Sequence, residues 1–567
     1  MAETCLERIA SWVAGVRRED VPPRVLELAR HQALSVLAGV RDGSASEEAS
    51  AVRRAVLGWG KSGRSTVFPS GERTGVHEAI LANAAASIVY DHDDYLYLGH
   101  TGHSAVLAAL ALGEDLGSSS GEVLLAQVVA NEVGGRIGAS ATLGPQNGQA
   151  WSFLHAAAAA ALASKLLGLD AARTAHAMAI ALFQPPFTLW PGFMGPGSKV
   201  LTAGWPAAAG VQAACFAAQG LTGALDVLEH PRQGFWASMT YVPLPHLVSG
   251  FGRAWVSDAL AFKPYPGCAY LDTTLDALFR IRDDFRAARG RDLAPADVES
   301  IRVDASLLTI EMDNLSASLG GRDVLSPSFV NFSIPASVAI AVLAGRLGAA
   351  ELSPGFLAAN GAAIRDLAGR VSLGHDWPLT FRTADALDEV LGGSGIAASL
   401  GLADWLAVLS GYRRRFGGPK PHSPRVGRLL FRHPLLLGRR ALRLLSPSRR
   451  RRERDLSSVD FSRFRTVFPS RVALVTRDGA RFESSQEVPR GASGDPARLD
   501  VVRARFAASI DRPEALETLL AFEAHPLDRI VRAGCTEAPP RAGAKERVVG
   551  EVLEALRAVG EAGRERG

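Results

Sequence analysis

The sequence of 567 residues has few cysteines and no long apolar run. Its four cysteines, Cys5, Cys215, Cys268 and Cys535, are scattered along the chain, so neither a disulfide framework nor a zinc knuckle is predicted. The longest apolar tract, "HAAAAAALASKLLGL", is mostly alanine and is broken by Lys165, whereas a membrane span needs about 20 apolar residues. The start, "MAETCLERIA", is acidic where a signal peptide needs a basic region. We therefore expect a soluble protein of the reducing cytoplasm.

Lysine is also scarce, and the positive charge is unevenly placed. The formal net charge is +4, but 14 arginines and Lys420 lie between Arg413 and Arg454, and the rest of the chain is acidic. Only six lysines occur in the whole chain. Two of them, Lys199 and Lys263, stand in stretches rich in glycine and proline, "GPGSKVLTAGW" and "AFKPYPGCAYLD". Because a compact ammonium and a planar guanidinium are not interchangeable, we expect a specific role for these two lysines.

Helical periodicity dominates residues 1–265. Segments such as "VPPRVLELARHQALSVLAGV", "GVHEAILANAAASIVYDH" and "SFLHAAAAAALASKLLGLD" have apolar residues at helical spacing. Their many alanines and glycines allow close helix approach, as in a compact bundle. Ser104 is predicted to cap the helix that begins in "SAVLAALALGEDLG". The tail, 496–567, is helical again and is predicted to return to this first domain.

The pattern changes near residue 265. "VESIRVDASLLTI" alternates like a strand, and "RVALVTRDGARFESSQEVPRG" predicts a hairpin around Asp478-Gly479. Residues 266–495 are therefore predicted to form a smaller α+β lid domain, and the fold class is mainly α. A cleft between two domains is a common location for a site.

An arginine- and leucine-rich segment, at about 404–460, interrupts the lid. One interpretation is a weak contact with an anionic membrane or an acidic partner through residues 413–454. The alternative is a solvated insertion without a partner. Nucleic-acid binding is not predicted, because aromatic residues are not interleaved with the arginines and no reading module is present.

Three aspartates and three histidines crowd into "YDHDDYLYLGHTGHS", residues 90–104. They are Asp91, His92, Asp93, Asp94, His100 and His103. Burial raises carboxyl pKa values, and His103 near a helix start would resist a second proton. The cluster could hold one proton donor and one acceptor for acid–base catalysis.

Three alternatives to acid–base catalysis remain open for this cluster. It could bind a metal, although the glycines of a calcium loop are missing and zinc would need further ligands. An Asp-Asp pair in a helical chain is also typical of magnesium-dependent terpene synthases, but their second metal motif is not evident. The cluster could also be a polar turn that caps two helices.

Several motifs together resemble the MmgE/PrpD family, which includes 2-methylcitrate dehydratases and cis-aconitate decarboxylases. "DHDDYLYLGHTGHSAVLAALALGE", "AAAAAALASKLLGLD", "GSKVLTAGWPAAAGVQAACFAAQGLTGALDVLE", "KPYPGCAYLDTTLDAL" and "VPRGASGDPARLDVVRARF" follow the family's motifs in order and spacing. The resemblance covers nearly the whole chain except about 404–460.

The resemblance implies a large helical domain built from both chain ends, a smaller α+β lid and a site between them. It also implies a homodimer and no metal or organic cofactor. Carried over by motif, the catalytic groups would be Asp91, His100, Lys199 and Lys263. The predicted substrate-binding positions are Tyr95, His103, Gln149, Thr202 and Cys268.

The sequence departs from the family pattern near these positions. Tyr95 stands where the family has Thr, Thr101 where it has Pro, and Ala336 where it has Tyr. A family His falls near Gln149, with His155 the nearest imidazole, and another falls at Thr202. These changes indicate related chemistry on a different substrate, or loss of activity.

We therefore predict a cofactor-independent lyase, a dehydratase or decarboxylase, that moves a proton next to a carboxylate of a small acid. In this prediction, Lys199 and Lys263 bind carboxylate, and Asp91 and His100 serve as base and acid. The alternatives are an isomerase or epimerase with the same proton chemistry, an inactive scaffold that acts through its basic insertion, and a metal-dependent helical synthase.

Overall fold

The computed structural model describes residues 3–96, 99–144, 152–319, 325–391, 395, 399–416 and 455–535. Helices dominate these residues, which confirms the predicted mainly α fold class. The α-helices are α1 Cys5–Gly15, α2 Pro23–Gly43, α3 Glu47–Gly58, α4 Val76–Ile88, α5 Gly102–Leu116, α6 Ser120–Ser140, α7 Ser152–Leu166, α8 Ala171–Leu182, α9 Trp190–Phe193, α10 Leu201–Ala218, α11 Phe235–Met239, α12 Asp272–Arg289, α13 Leu307–Leu319, α14 Pro327–Val330, α15 Ile334–Ala344, α16 Pro354–Gly369, α17 Trp377–Leu391, α18 Leu402–Phe416, α19 Arg498–Ser509, α20 Pro513–Leu520 and α21 Leu527–Gly534.

The strands are short and few among the described residues. They are β1 Ser65–Val67, β2 Glu72–Thr74, β3 Asp94–Leu96, β4 Leu260–Phe262, β5 Val298–Ala305, β6 Val371–His375, β7 Ser470–Thr476 and β8 Arg481–Gln486. β1 pairs with β2 and β3 pairs with β4, both antiparallel. The other four form one sheet in the order β6-β5-β7-β8, in which only β5 and β6 are parallel.

The helical core depends on small residues. The alanine-rich α7 packs against α6, α8 and α10, and α10 also packs against α4. At Gly210 in α10 a Cβ atom would stand 2.3 Å from the carbonyl oxygen of Ala156 in α7. Because no real side chain tolerates that distance, glycine at this position sets how closely the two helices approach.

One helical stretch, Gly197–Ala218, is long and apolar enough to cross a membrane by length and composition alone. Of its most apolar window, 67% is buried inside the protein. Core helices pass the same test, and the packing of α10 on four other helices, α4, α5, α7 and α8, is typical of a core helix.

The last described helices return to the first part of the chain. α19 and α20 pack against α2, and α21 packs against α5. Arg30 in α2 donates two hydrogen bonds to Glu523, at 2.7 and 2.8 Å, and Arg18 donates another at 3.0 Å. This packing agrees with a first domain of residues 1–265 completed by 496–567, whose boundaries stay a prediction. Residues 536–567, with their predicted final helix, lie outside the described residues.

The Glu523 ion pair predicts a pH-dependent contribution to stability. Burial raises the pKa of Glu523, but the hydrogen bonds from Arg30 and Arg18 lower it to about 2, from an ordinary 4.5. The stabilisation is therefore fully present above pH 4.5 and is lost as the pH falls toward 2. Glu523→Gln should lower the free energy of unfolding at pH 7 by about 2 kcal/mol. Urea titrations of the variant and of the exposed control Glu517→Gln measure this loss, and an equal loss in both would contradict it.

The four-stranded sheet confirms the predicted hairpin. β7 and β8 are adjacent and antiparallel, and Gly479 in their connection has φ of +85°, a left-handed conformation that glycine adopts without strain. α12 packs against both strands. The adjacent segment "VESIRVDASLLTI" is a strand only as far as Ala305, because α13 begins at Leu307.

The start of α5 and the insertion at about 404–460 differ in how the structure bears on their predictions. Ser104 as a helix cap is wrong: Thr101 is the N-cap residue of α5, and the Ser104 hydroxyl donates to the Thr101 carbonyl oxygen at 3.1 Å inside the first turn. The insertion at about 404–460 is described only at its ends. Its first residues continue α18, and its last residues pack near Ser249 through Leu456. The proposed lipid or acidic-partner contact of 413–454 falls almost wholly outside the described residues, which lack 417–454.

Candidate active site

A cavity of about 250 Å³ is lined by residues from both parts of the chain. The helical part contributes Asp91, His100 and Lys263. The part with the four-stranded sheet contributes residues of α13, α17 and the segment 464–468, which leads into β7. Three of the four predicted catalytic groups therefore line one cavity.

A two-strand pairing brings Lys263 to the acidic cluster. β3 pairs with β4 in the register Asp94 to Phe262, so Lys263 follows directly beyond the pair and Asp93 directly before it. The Lys263 backbone N–H donates to the Asp93 carbonyl oxygen at 3.3 Å. Groups 170 residues apart in the chain thus become neighbours.

Asp91 has an unusual backbone conformation at the cavity wall. Its φ is +47°, in the left-handed region that L-residues other than Gly, Asn and Asp seldom enter. Its carboxylate accepts a hydrogen bond from Lys199 Nζ at 2.5 Å, and its backbone carbonyl oxygen accepts one from Lys263 Nζ at 2.7 Å. The two lysines hold this strained turn from both sides.

Asp93 is the centre of the charge network. One carboxylate oxygen bonds the Lys263 ammonium, and the other lies 2.9 Å from His103 Nε2 and 3.0 Å from His100 Nδ1. Burial raises the pKa of Asp93, but Lys263 and His100 outweigh burial and hold it well below its usual value. Conversely, the Asp93 and Asp91 charges raise the pKa of buried Lys263 against the opposing effect of desolvation. Asp93 is thus an anion and Lys263 a cation at neutral pH.

Asp94 shows how the cluster tolerates a third carboxyl group. Its Oδ2 accepts hydrogen bonds from Gln32 Nε2 at 2.8 Å and from the Gly102 backbone N–H at 3.2 Å. Burial and the nearby Asp93 charge raise its pKa. Repulsion within the cluster is therefore relieved by a lysine at Asp91, by a lysine and two imidazoles at Asp93, and by a raised pKa at Asp94.

His100 is oriented for proton transfer. Its Nδ1 lies 3.0 Å from Asp93 Oδ2 and 3.2 Å from the Asp94 carbonyl oxygen, two acceptors that require a proton on Nδ1. Within the described part of the chain, Nε2 makes no hydrogen bond. The imidazole lines the cavity, and 20% of its surface is exposed. An imidazole held by a carboxylate through one nitrogen presents the other nitrogen to a ligand.

Lys199 contacts residues of the cavity wall but does not itself line the cavity. Its side chain is buried, and its ammonium lies 5.1 Å from the ring centre of Phe332 and 5.7 Å from that of Phe193. The ion pair with Asp91 and the two aromatic ring faces compensate for the hydration that the buried Lys199 ammonium loses. This geometry favours a role in positioning Asp91 over direct contact with a substrate.

The structure distributes the five predicted substrate-binding residues over several places. Tyr95 and Cys268 line the cavity. His103 is buried behind Asp93, with Nδ1 2.7 Å from Ser87 Oγ. Thr202 lines a different hollow, on the outer side of α10, and its hydroxyl donates to the Lys199 carbonyl oxygen at 2.7 Å. Gln149 lies outside the described residues.

The structure also shows where three residues at or near the departures from the family pattern lie. Thr101 is buried and its hydroxyl donates to Asn131 Oδ1 at 2.6 Å. His155 is buried in α7 with Nδ1 2.9 Å from Ser104 Oγ, and it does not line the cavity. Ala336 is buried near the start of α15. None of these three side chains faces the described cavity.

Sequence reasoning did not single out three features of the cavity. Asp93 was one of several acids in the cluster, and only the β3–β4 register distinguishes it. Arg465 lines the cavity although its sequence neighbourhood suggests the end of the arginine-rich insertion. The aromatic wall, with Trp190, Phe193 and Phe332, arises from α9 and the turn before α15, which no local pattern connects.

The Cys268 thiol, which lines the same cavity, is expected to react slowly. Burial raises its pKa to about 12, and the nearby Lys263 only partly offsets this. Because the thiolate is the reactive form, alkylation of Cys268 at pH 8 should be at least about 100-fold slower than that of an unperturbed thiol. Mass spectrometry after timed iodoacetamide treatment of native and denatured protein measures the difference. Equal labelling of Cys268 in both states would contradict this assignment.

Among the described residues, no three His, Cys, Asp or Glu side chains converge as a set of metal ligands. The Asp91 and Asp93 carboxylates bond lysine ammonium groups instead. The absence of a cofactor, which the resemblance implies, stays a prediction.

Residues 7–245 match the family described as the MmgE/PrpD N-terminal domain. The match covers less than half of the chain and shows a similarity to this family for residues 7–245. The matched range contains Asp91, His100 and Lys199, whereas Lys263 and Cys268 follow it. The sequence resemblance to MmgE/PrpD proteins is thereby confirmed.

Two curated relatives of this chain come from Aspergillus species. A cis-aconitate decarboxylase of Aspergillus terreus is 27% identical over 292 residues, which cover 48% of this chain and 59% of the relative. A cis-aconitate decarboxylase-like protein, oryM, of Aspergillus oryzae is 25% identical over 298 residues, which cover 49% of this chain and 61% of the relative. The chain thus spans about three-fifths of the length of these relatives.

Proposed function

We propose that this protein is a lyase, a dehydratase or decarboxylase, that transfers a proton at a carbon next to a carboxylate. The observation that carries the proposal is His100, whose Nδ1 is bonded to the Asp93 carboxylate while its ring lines the cavity beside Lys263. Both relatives named above support this class of reaction, since their names describe decarboxylation of a small acid.

His100 would carry the proton. With Nδ1 protonated, a neutral imidazole can accept a proton at Nε2, and Asp93 stabilises the imidazolium that forms. In a dehydration the proton leaves the carbon beside the carboxylate, and hydroxide leaves the next carbon as water after protonation. In a decarboxylation an imidazolium donates its proton to the carbon from which carbon dioxide departs. Proton abstraction in the dehydration and proton donation in the decarboxylation both use Nε2 of His100.

Lys263 would stabilise the charge that develops on the carboxylate. Of its three N–H donors, one bonds the Asp91 carbonyl oxygen and another the Asp93 carboxylate, so one remains for a ligand. A fixed ammonium beside a carboxylate stabilises the negative charge that moves onto its oxygens when the neighbouring carbon loses a proton. Asp91, held by Lys199, is the second proton carrier of the proposal.

An isotope experiment with a panel of small acids tests the proposed chemistry. The purified protein is incubated in D₂O with cis-aconitate, citrate, succinate and 2-alkylsuccinates, and the acids are examined by NMR and mass spectrometry. A decarboxylase loses carbon dioxide and incorporates deuterium at the carbon it leaves. A dehydratase changes the mass by one water and incorporates deuterium when the reaction reverses, whereas an epimerase incorporates deuterium at constant chemical composition. If no acid is labelled or converted, the proposed function is wrong.

We further propose that the protein is a homodimer that associates through one face of α10. Trp205, Ala209, Gln212 and Phe216 recur at helical spacing on this face and are exposed, and Leu189 is exposed at the adjoining hollow. Three of these exposed side chains, Trp205, Phe216 and Leu189, are large and apolar, and such clusters are typical of subunit contacts. A second copy is the occupant that the family resemblance implies.

Replacement of the central tryptophan tests this contact. Trp205→Glu should shift the wild-type dimer to monomer at micromolar concentration, because two like charges would meet at the interface. Light scattering coupled to size-exclusion chromatography measures the mass. Trp59→Glu, an equally exposed tryptophan at the end of α3, is the matched control. A monomeric wild type, or dissociation by both variants, would contradict the proposed interface.

A further inference from the structure

The charges of the cavity are concentrated at one end. Asp91, His100 and Lys263 belong to the cluster around β3 and β4. Most of the remaining described wall carries no charged side chain: its large members include Trp190, Phe193, Leu308, Met312, Phe332 and Leu387. These side chains come from α9, α13, α17 and the turn before α15, so four separate segments converge to make an apolar surface.

The fixed charges at the polar end largely neutralise one another. Lys199 pairs with Asp91, and Lys263 pairs with Asp93. The other cationic groups on the described wall are the His100 imidazole, when protonated, and the exposed Arg465 guanidinium. These cationic groups can pair with one carboxylate of a substrate, or with two if Arg465 binds the second. A third carboxylate would meet aromatic and aliphatic side chains without a partner, at the full penalty of its lost hydration.

We propose that the substrate is a mono- or dicarboxylic acid with an extended apolar substituent next to the reacting carbon. This inference rests on the proposed function, because it uses the same cavity and the same reacting end. The carboxylate lies at Lys263 and His100, and the alkyl or aryl group lies against Phe332, Met312 and Leu387. Leu308, which lines the cavity although it is 48% exposed, marks where the apolar wall reaches solvent.

Binding measurements with a graded series of acids test this inference. Isothermal titration calorimetry compares succinate, 2-butylsuccinate, 2-benzylsuccinate and citrate. Each methylene group that enters the apolar wall should tighten binding about fourfold. The Kd of 2-butylsuccinate should therefore be on the order of 100-fold below that of succinate. A Kd that does not fall with the substituent, or citrate binding more tightly than 2-butylsuccinate, would overturn the inference.

A substitution in the apolar wall tests whether the tighter binding of the substituted acids depends on this surface. Met312→Gln keeps the side-chain length and introduces a polar amide, so the ratio of succinate to 2-butylsuccinate Kd should fall about tenfold. Leu319→Gln, on the exposed end of the same helix, is the matched control and should leave the ratio unchanged. An unchanged ratio in Met312→Gln would contradict the assigned wall.

Deuterium incorporation into the same acids separates this inference from the proposed function. Tighter binding of the substituted acids without any labelling supports the apolar wall and contradicts the proton chemistry. Labelling of succinate or citrate without a gain from the substituent supports the proton chemistry and overturns the substrate class.

Discussion

His100→Ala should reduce the rate of deuterium incorporation by about 10³-fold, since removal of a positioned acid–base group typically has an effect of 10²–10⁴. The variant should fold normally, because Asp93 keeps its bonds to Lys263 and His103. The exchange rate in D₂O at saturating acid measures the effect, and thermal melting checks the fold.

Two further variants test whether the loss of activity in His100→Ala comes from the loss of proton transfer by the imidazole. His100→Asn can still donate a hydrogen bond toward Asp93 but cannot carry a proton, so it should be as inactive as the alanine variant. His176→Asn replaces a partly buried imidazole whose Nδ1 lies 3.1 Å from the Gly223 carbonyl oxygen, and it should keep full activity. Activity in His100→Asn close to that of the wild type would show that the ring does not transfer the proton.

Lys263→Met should reduce the same exchange rate by at least about 10²–10³-fold, the effect of removing a group that stabilises developing negative charge. It should also lower the free energy of unfolding by about 3 kcal/mol, because Asp93 would remain ionised in a buried site without its ammonium. Methionine has a similar length, so lost packing contributes little.

A double variant separates these two effects of Lys263. Adding Asp93→Asn to Lys263→Met removes the uncompensated charge, so stability should recover in part while activity stays low. The control is Lys165→Met, since Lys165 Nζ also donates to backbone carbonyl oxygens, at 3.1 Å to Ala14 and 2.5 Å to Val16, but outside the cavity. That variant should lose stability and keep activity. Recovery of activity in the double variant would contradict the proposed role of the ammonium.

Long periodic elements of this fold could be predicted from the sequence. The segments that became α2, α4 and α7 show helical spacing over several turns, which is the strongest local signal. The hairpin at Asp478-Gly479 was predictable because its turn needs a left-handed residue. β3 and β4 were not predictable, since three residues are too few to show a period, and their pairing joins positions about 170 residues apart.

The site was predictable as a set of residue types but not as a network. Scarcity and a rigid local sequence pointed to Lys263, and the density of acids pointed to the cluster around Asp91. Which carboxylate binds which ammonium depends on the β3–β4 register and on the turn at Asp91, and neither leaves a local signal. Lys199 was predicted to bind substrate; in the structure its ammonium bonds Asp91, and its side chain does not line the cavity.

Deuterium labelling of carboxylic acids by the wild-type protein, compared with His100→Ala, tests the central claim most directly. The proposal predicts that at least one acid of the panel gains deuterium on the carbon beside a carboxylate, and that this labelling falls by about 10³-fold in the variant. Equal labelling by both proteins, or none by the wild type, would contradict proton transfer by His100 in this cavity.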